Sequence, residues 1–412
     1  MLKSNIFRIV KNSGFLLIVQ GANYLVPFVI LPYLSKNFSQ DNFGQALVIL
    51  SICQLAYIIS EFGFNVSLVS KVQSGISNKS LSLLNSDVIS IRVLVCLVYV
   101  LLLFLFFDSK IESVNLIIIF FTIVFQAAQP IWYFMGIESF KSISKLLLAT
   151  KIIQVPVFFA NLYSGIDPVS SFALSLMLSQ LVGALYANRT FYWNIEPRYR
   201  KFYFNTSAIE LFRSSYGYFF SRIYSTLPYY ISSPLIGRVH GMGNAAIFGA
   251  GESIGKAIKG FSGSIVQAFY PRISEVKDLK LFIVFYVLSI LVLSTVCFII
   301  SLCGDFILVL IFGDFYSTSL PYLDLSLVIV VLSFSSNLLG YPLFSMIGKL
   351  ELVNKSSFYI FVIFIIAMVW FIYKDLDMIY FMYILIFVEF LSSVVKLFLF
   401  LRYRIYAFLR LS

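Results

Sequence analysis

Apolar runs of about twenty residues, the length that crosses the hydrocarbon of a bilayer, recur along the whole of this chain. Each reads as a spanning helix, because apolar material this abundant and this evenly spread does not fit one soluble core. The windows fall near residues 15–34, 44–64, 88–107, 114–136, 143–164, 168–188, 212–235, 245–268, 281–301, 322–344, 357–373 and 378–401. Composition points the same way: 60% of the 412 residues are hydrophobic and only 12% are charged, about half the charged share of an ordinary soluble domain. The basic N-terminal segment leads into an apolar run that has no small-residue cleavage site and carries Gln20, Asn23, Pro27 and Pro32. It is read as a first spanning helix that stays in place, with Gln20 and Asn23 as polar groups on a lumen, and not as a removed signal.

Positive charge orders these twelve spans. With the N-terminus inside, the inner segments hold 21 of the 30 Lys and Arg residues, Lys396 among them; four lie in outer loops (Lys36, Lys110, Arg238 and Lys374) and five within spans. Cytoplasmic loops carry such an excess, so both termini are expected in the cytoplasm. The same bias accounts for the formal charge of +11 without nucleic acid, since the basic residues form no dense run. The longest inner loop, about 189–211, divides the chain into two halves of six spans, 1–200 and 201–412. Internal similarity supports a duplication: Pro32, Lys36 and Phe43-Gly44 are matched by Pro234, Arg238 and Phe248-Gly249.

Covalent and nucleotide chemistry lack their residues. Cys53, Cys96, Cys297 and Cys303 lie in or at the ends of apolar runs, without CxxC or Cys/His spacing, and imply neither disulfides nor metal. His240 is the single histidine, so no histidine metal site or His-based triad can be built. GAGESIGKAIKG at 249–260 mimics a phosphate loop, but Ala250 stands at the required glycine and Ala257 follows Lys256. The dinucleotide fingerprint fails too, Gly255 coming one residue late after Gly249 and Gly251. No catalytic residue, cofactor or metal is expected.

What remains is a set of ionisable groups inside spans: Glu61, Arg92, Lys151, Arg222, Glu252, Lys256, Lys259 and Glu389. A Lys or Arg at a helix centre facing lipid costs roughly 2.5–3.5 kcal/mol, so these groups must face protein or water. At about 100° per residue, Glu252, Lys256 and Lys259 share one helix face. A structural reading pairs Glu252 with Lys256 and uses Gly251 and Gly255 as a GxxxG contact. That pairing leaves Lys259 over, and five basic groups against three acidic ones call for an anion. Lys151, Arg222, Lys256 and Lys259 are the predicted anion-binding residues. Glu61, Glu252 and Glu389 are read as sites of proton or ion coupling or of charge balance. Prolines in matching spans, Pro27 and Pro32 against Pro228 and Pro234, read as bends lining a path or as packing kinks. Arg92 lies near the cytoplasmic end and is expected to snorkel. Trp132, Tyr133 and Phe134 are read as an interfacial aromatic belt.

The stretches QPIWYFMGIESFK, NYLVPFVILPYL, EFGFN and AIFGAGESIGKAIKG resemble the Wzx-type polysaccharide flippases of the multidrug/oligosaccharidyl-lipid/polysaccharide exporter superfamily. The resemblance implies an all-α membrane protein of about twelve transmembrane helices in two six-helix lobes around a central cavity, in the bacterial inner membrane. It also implies movement of undecaprenyl-pyrophosphate-linked sugar repeat units from the cytoplasmic to the periplasmic leaflet, for O-antigen or related polysaccharide assembly. A pyrophosphate is then the anion that the surplus basic groups hold. Implied partners are the lipid-linked oligosaccharide, membrane lipids, and a polysaccharide polymerase and chain-length regulator.

Other readings compete. An ion-coupled multidrug exporter of the same superfamily would favour intramembrane carboxylates for cationic drugs, whereas lysine and arginine predominate here. A lipid II flippase resembles fourteen spans. An integral-membrane glycan polymerase or transferase would want acidic clusters in a large outer loop, and the longest, near 302–321, holds only Asp305 and Asp314.

Overall fold

A computed structural model describes residues 28–107, 111–200 and 208–409, and every regular element among them is helical. Helix α1 occupies 28–37 of the described chain. There follow α2 (Gln40–Glu61), α3 (Phe64–Ser67), α4 (Val69–Gln73), α5 (Asn78–Phe107), α6 (Ser113–Ala127), α7 (Ile131–Gly136), α8 (Phe140–Tyr163), α9 (Pro168–Trp193) and α10 (Ala208–Tyr230). The rest are α11 (Ser232–Val239), α12 (Met242–Val276), α13 (Leu279–Leu302), α14 (Gly304–Phe312), α15 (Leu320–Leu338), α16 (Tyr341–Ser345), α17 (Glu351–Tyr373) and α18 (Met378–Leu409). Short polar residues start several of them. The Asp167 carboxylate accepts from the amides of Val169 and Ser170 ahead of α9, and Asp278 does the same for Lys280 and Leu281 ahead of α13, satisfying amides with no intrahelical partner.

Nine helical stretches among the described residues are long and apolar enough to cross a membrane. They coincide with nine of the windows read from the sequence. Two further windows fall on α10 and α12, which are 23 and 35 residues long but carry more charge. The remaining window lies mostly outside the described residues. The protein is a multi-pass membrane protein. Leu288, Leu291, Val292 and Phe298 on α13 are all more than half exposed, as expected where the solvent is hydrocarbon and not water.

The chain forms two compact units, Met1–Gly243 and Asn244–Ser412. The sequence boundary near residue 200 rests on a different criterion, the count of spans. In the first unit, α10 packs against the end of α2. Gly63, at φ +72°, has no room for a Cβ, which would stand 2.6 Å from Tyr218 Cβ and 2.9 Å from the Phe219 nitrogen. Phe62 stacks on Phe212 and Phe219 with centroids 4.5 and 4.3 Å apart, and the Ser67 and Ser215 hydroxyls meet at 2.9 Å.

Each unit contains one span that breaks in the same manner. In the first, α6 ends at Ala127 and the chain restarts as α7 after Pro130; in the second, α15 ends at Leu338 and restarts as α16 at Tyr341-Pro342. Pro130 precedes Gly136, and Pro342 precedes Gly348, by the same six residues. A helix end leaves its last carbonyls without intrahelical donors, and a buried cation serves each break. Arg92 Nη1 donates to the oxygens of Ala127 and Gln129, 3.0 Å each. Lys396 Nζ donates to the oxygen of Ser336 at 3.1 Å.

Arg92 therefore departs from the expectation that it snorkels: it is 3% exposed, 5.7 Å from the Phe64 ring centroid and held by the broken helix. Trp132, Tyr133 and Phe134 are likewise buried, within the core around α7 rather than on a surface belt. The folding of the chain over the break, invisible in span-by-span reading, is the reason.

Candidate functional site

In the second unit, α12 carries Glu252, Lys256 and Lys259 along one face. Its neighbouring face is made of glycine, and α15 lies directly on it. A Cβ at Gly251 would stand 2.6 Å from the Leu323 nitrogen and 2.8 Å from the Ser319 oxygen; one at Gly255 would meet the Ser326 side chain, 2.8 Å from its Cβ. The GxxxG reading is thus realised as a close helix contact. Lys256 Nζ lies 2.8 Å from Glu252 Oε2, one turn back on the same helix.

The expectation that Lys259 is left over is corrected. Glu389 on α18 stands 3.9 Å from Lys259 Nζ, a pairing that only the packing of two distant helices creates. Lys396 is a further correction. Sorted from the sequence into a cytoplasmic segment, it is 6% exposed, and its ammonium donates to both the carbonyl and the hydroxyl of Ser336, at 3.1 and 2.8 Å. The Ser336 hydroxyl in turn meets that of Ser392 at 2.7 Å. Two signals could have exposed it: the spacing of seven from Glu389, which puts both on one helix face, and the apolar LFLFL that continues beyond it.

The second unit therefore gathers three lysines and two glutamates. The side chains of Lys256 and Lys259 are 25% and 23% exposed, against 6% for Glu252 and 14% for Glu389. The two lysine side chains are thus more open than the carboxylates paired with them, and each pairing limits the cost of burying the ammonium.

In the first unit, Arg222 Nη2 lies 3.2 Å from Glu61 Oε2. Glu61 is the last residue of α2, fully buried, while the Arg222 side chain is 42% exposed. Arg92 lies within electrostatic reach of the same carboxylate. Lys151, half-buried on α8 beside the buried Cys53 thiol, makes no ion pair with any described residue. One turn on, Gln154 is fully buried with neither amide atom hydrogen-bonded. Lys151 and Arg222 thus lie in one unit and Lys256 and Lys259 in the other; Gln20 and Asn23 lie outside the described residues. Among the described residues no group of three His, Cys, Asp or Glu side chains is placed to hold a metal ion.

The polysaccharide biosynthesis protein family matches residues 9–277, more than half of the chain. The chain belongs to this family. Among its relatives is a putative O-antigen transporter of Shigella dysenteriae, 22% identical over 327 residues, 76% of this chain and 80% of that protein. Another is a putative O-antigen transporter of Escherichia coli K12, 26% identical over 283 residues, 64% of this chain and 65% of the relative. Solved structures of similar fold include a multidrug resistance MATE transporter of the MOP superfamily, outward-facing, at TM-score 0.60 and 14% identity over 98% of this chain and 97% of that one. A MOP-superfamily transporter from Pyrococcus furiosus matches at TM-score 0.60 and 13% identity, over 97% and 96%. The sequence match gives the family, and the solved structures give a fold shared with MATE and other MOP-superfamily transporters.

Proposed function

We propose that this chain flips undecaprenyl-pyrophosphate-linked oligosaccharide repeat units from the cytoplasmic to the periplasmic leaflet of the bacterial inner membrane, for O-antigen or related polysaccharide assembly. It does so by alternating access through a basic lumen, with twelve spans in two halves of six and both termini in the cytoplasm. The observation that carries this reading is the lysine face of α12, where Lys256 and Lys259 share one helix face and keep 25% and 23% of their side-chain surface open. A pyrophosphate suits such a face, because each ammonium forms charge-assisted hydrogen bonds with phosphate oxygens and the surrounding low dielectric strengthens them. Lys151 and Arg222 add positive charge from the first unit, Glu61, Glu252 and Glu389 balance charge or couple an ion, and Gln20 and Asn23 line the lumen. The names of the two O-antigen relatives agree with this substrate class. A polysaccharide polymerase and a chain-length regulator are the proposed downstream partners.

Deletion of the gene tests it. Lipid-linked repeat units should accumulate on the cytoplasmic leaflet, and surface polysaccharide should return with the wild-type chain but not with a Lys256→Gln/Lys259→Gln variant that inserts normally. Unchanged polysaccharide in the deletion strain overturns the proposal. The MATE fold neighbours favour a second reading, an ion-coupled multidrug exporter; it predicts that deletion sensitises cells to cationic drugs and leaves polysaccharide intact.

A further inference from the structure

Helix α10 is fastened to the first unit along one side. Phe212 and Phe219 stack on Phe62, the Ser215 hydroxyl meets that of Ser67, and the chain at Tyr218 and Phe219 closes over Gly63. At about 100° per residue these positions share a side, and a second row, Arg213, Tyr216, Gly217, Phe220 and Tyr224, lies roughly 150° around the helix from it. With 45 Phe and 26 Tyr in the chain, an aromatic residue by itself identifies nothing; here the placement does. Tyr216 and Phe220 are 55% and 44% exposed. The three rings form a ladder, with centroids 6.5 Å apart for Tyr216 and Phe220 and 5.9 Å apart for Phe220 and Tyr224, and it climbs about 12 Å of helix. Gly217 lies within the ladder, and no described atom stands within 4 Å of a Cβ built there. A glycine inside a helix lowers stability relative to alanine. Where it serves no contact between helices, its use is to let something else approach the backbone. Arg213 and Glu210, both exposed, one and two turns before Gly217, add a donor and an acceptor at the start of the row.

We infer that this row of α10 is a sugar-stacking track, the surface on which the oligosaccharide of the substrate rests. This rests on the flippase reading and extends it from the anion to the glycan. A pyranose ring has an apolar face of C–H groups and a rim of hydroxyls. The C–H face packs on the electron-rich face of an aromatic ring, and the open space at Gly217 lets a sugar come close to the helix. The Glu210 carboxylate, the Arg213 guanidinium and the tyrosine hydroxyls then exchange hydrogen bonds with the rim. Hydrocarbon fits the row less well. The exposed side of α13 shows what this chain offers to lipid, namely Leu288, Leu291, Val292 and Phe298, apolar side chains with no glycine among them. A polyprenyl tail would gain nothing from the phenol hydroxyls and would strip water from Glu210 and Arg213, which is costly. Stacking needs only a C–H face, so the track holds a glycan without fixing which sugars compose it.

Two carriers separate the sugar from the rest of the substrate: undecaprenyl pyrophosphate bearing the repeat unit, extracted from the deletion strain, and undecaprenyl pyrophosphate alone. Their binding to the purified full chain is measured by equilibrium titration in nanodiscs. Wild type should hold the glycosylated carrier roughly tenfold more tightly, a factor worth about 1.4 kcal/mol. Tyr216→Leu/Phe220→Leu should erase that margin and leave the affinity for the bare carrier unchanged, while Tyr216→Phe/Phe220→Tyr, which keeps both rings, should retain most of it. Gly217→Ala should weaken binding of the glycosylated carrier severalfold and unfold no earlier than wild type, which a packing defect would not do. Equal affinity of wild type for the two carriers overturns the track and leaves the flippase reading standing. So does a loss of both carriers in Tyr216→Leu/Phe220→Leu, which would mark the row as a lipid or pyrophosphate contact, and so does a glycan margin that survives in that variant. If the deletion strain accumulates no lipid-linked repeat unit, the flippase reading falls and the track with it.

Discussion

Glu61 and Arg222 face each other at 3.2 Å across the junction of α2 and α10, with the Glu61 side chain fully buried and the Arg222 side chain 42% exposed. Two substitutions at one ion pair then have unequal consequences. Arg222→Gln leaves a buried carboxylate short of a partner and should cost about 2–3 kcal/mol, toward the lower end of what breaking a buried pair costs because Arg92 remains nearby. Glu61→Gln leaves a guanidinium that can turn to solvent and should cost about 1 kcal/mol or less. Thermal unfolding of the two variants in detergent reads the order, and equal losses would contradict it.

The two helix breaks depend on their cations. Arg92→Met removes the two hydrogen bonds that the guanidinium donates to the buried carbonyls of Ala127 and Gln129, the latter keeping only the Ile131 amide, and hydrogen bonds to charged groups are worth about 1.5–3 kcal/mol each. The variant should be destabilised by several kcal/mol and nicked by limited proteolysis near residues 127–136. Arg92→Lys, retaining a cation with three donors, should recover much of the loss.

At the contact of α12 with α15, the two glycines should differ. An added Cβ at Gly251 meets the backbone of Leu323 and Ser319, which cannot yield without moving a helix, while one at Gly255 meets the side chain of Ser326. Overpacking costs typically 1–3 kcal/mol, so Gly251→Ala should lie at or above the top of that range and Gly255→Ala near the bottom. Ser326→Gly should rescue Gly255→Ala and leave Gly251→Ala unchanged, which a double-mutant cycle in unfolding measurements reveals.

Lys151 makes no ion pair among the described residues, and the groups near it, the Cys53 thiol on α2 and the Gln154 amide on α8, carry no negative charge. A half-buried cation without a counter-charge opposes folding, so Lys151→Met should raise the unfolding temperature by a few degrees while lowering surface polysaccharide. Stability gained and transport lost together mark a residue kept for function. A destabilised variant would show instead that Lys151 has a structural partner.

Much of the helical plan was legible in the amino-acid order. Apolar length alone located nine windows that the structure returns as membrane-length helices, since a span is a local property of about twenty consecutive residues. The Glu252–Lys256 pair and the GxxxG contact were legible for the same reason, being neighbours on a single helix. The partners of Lys259 and Arg222 were not, nor was the burial of Arg92 and Lys396. Each depends on which helix lies beside which, and no window of sequence contains that information.

The sequence by itself determined that this chain crosses a membrane many times and carries cations it cannot expose to lipid, because hydrocarbon penalises every unsatisfied charge wherever the chain folds. Only the tertiary structure decided which carboxylate or carbonyl answers each cation. Ion pairing acts over a few ångströms in space, and the groups that meet, Glu61 with Arg222 and Glu389 with Lys259, come from helices far apart in the chain.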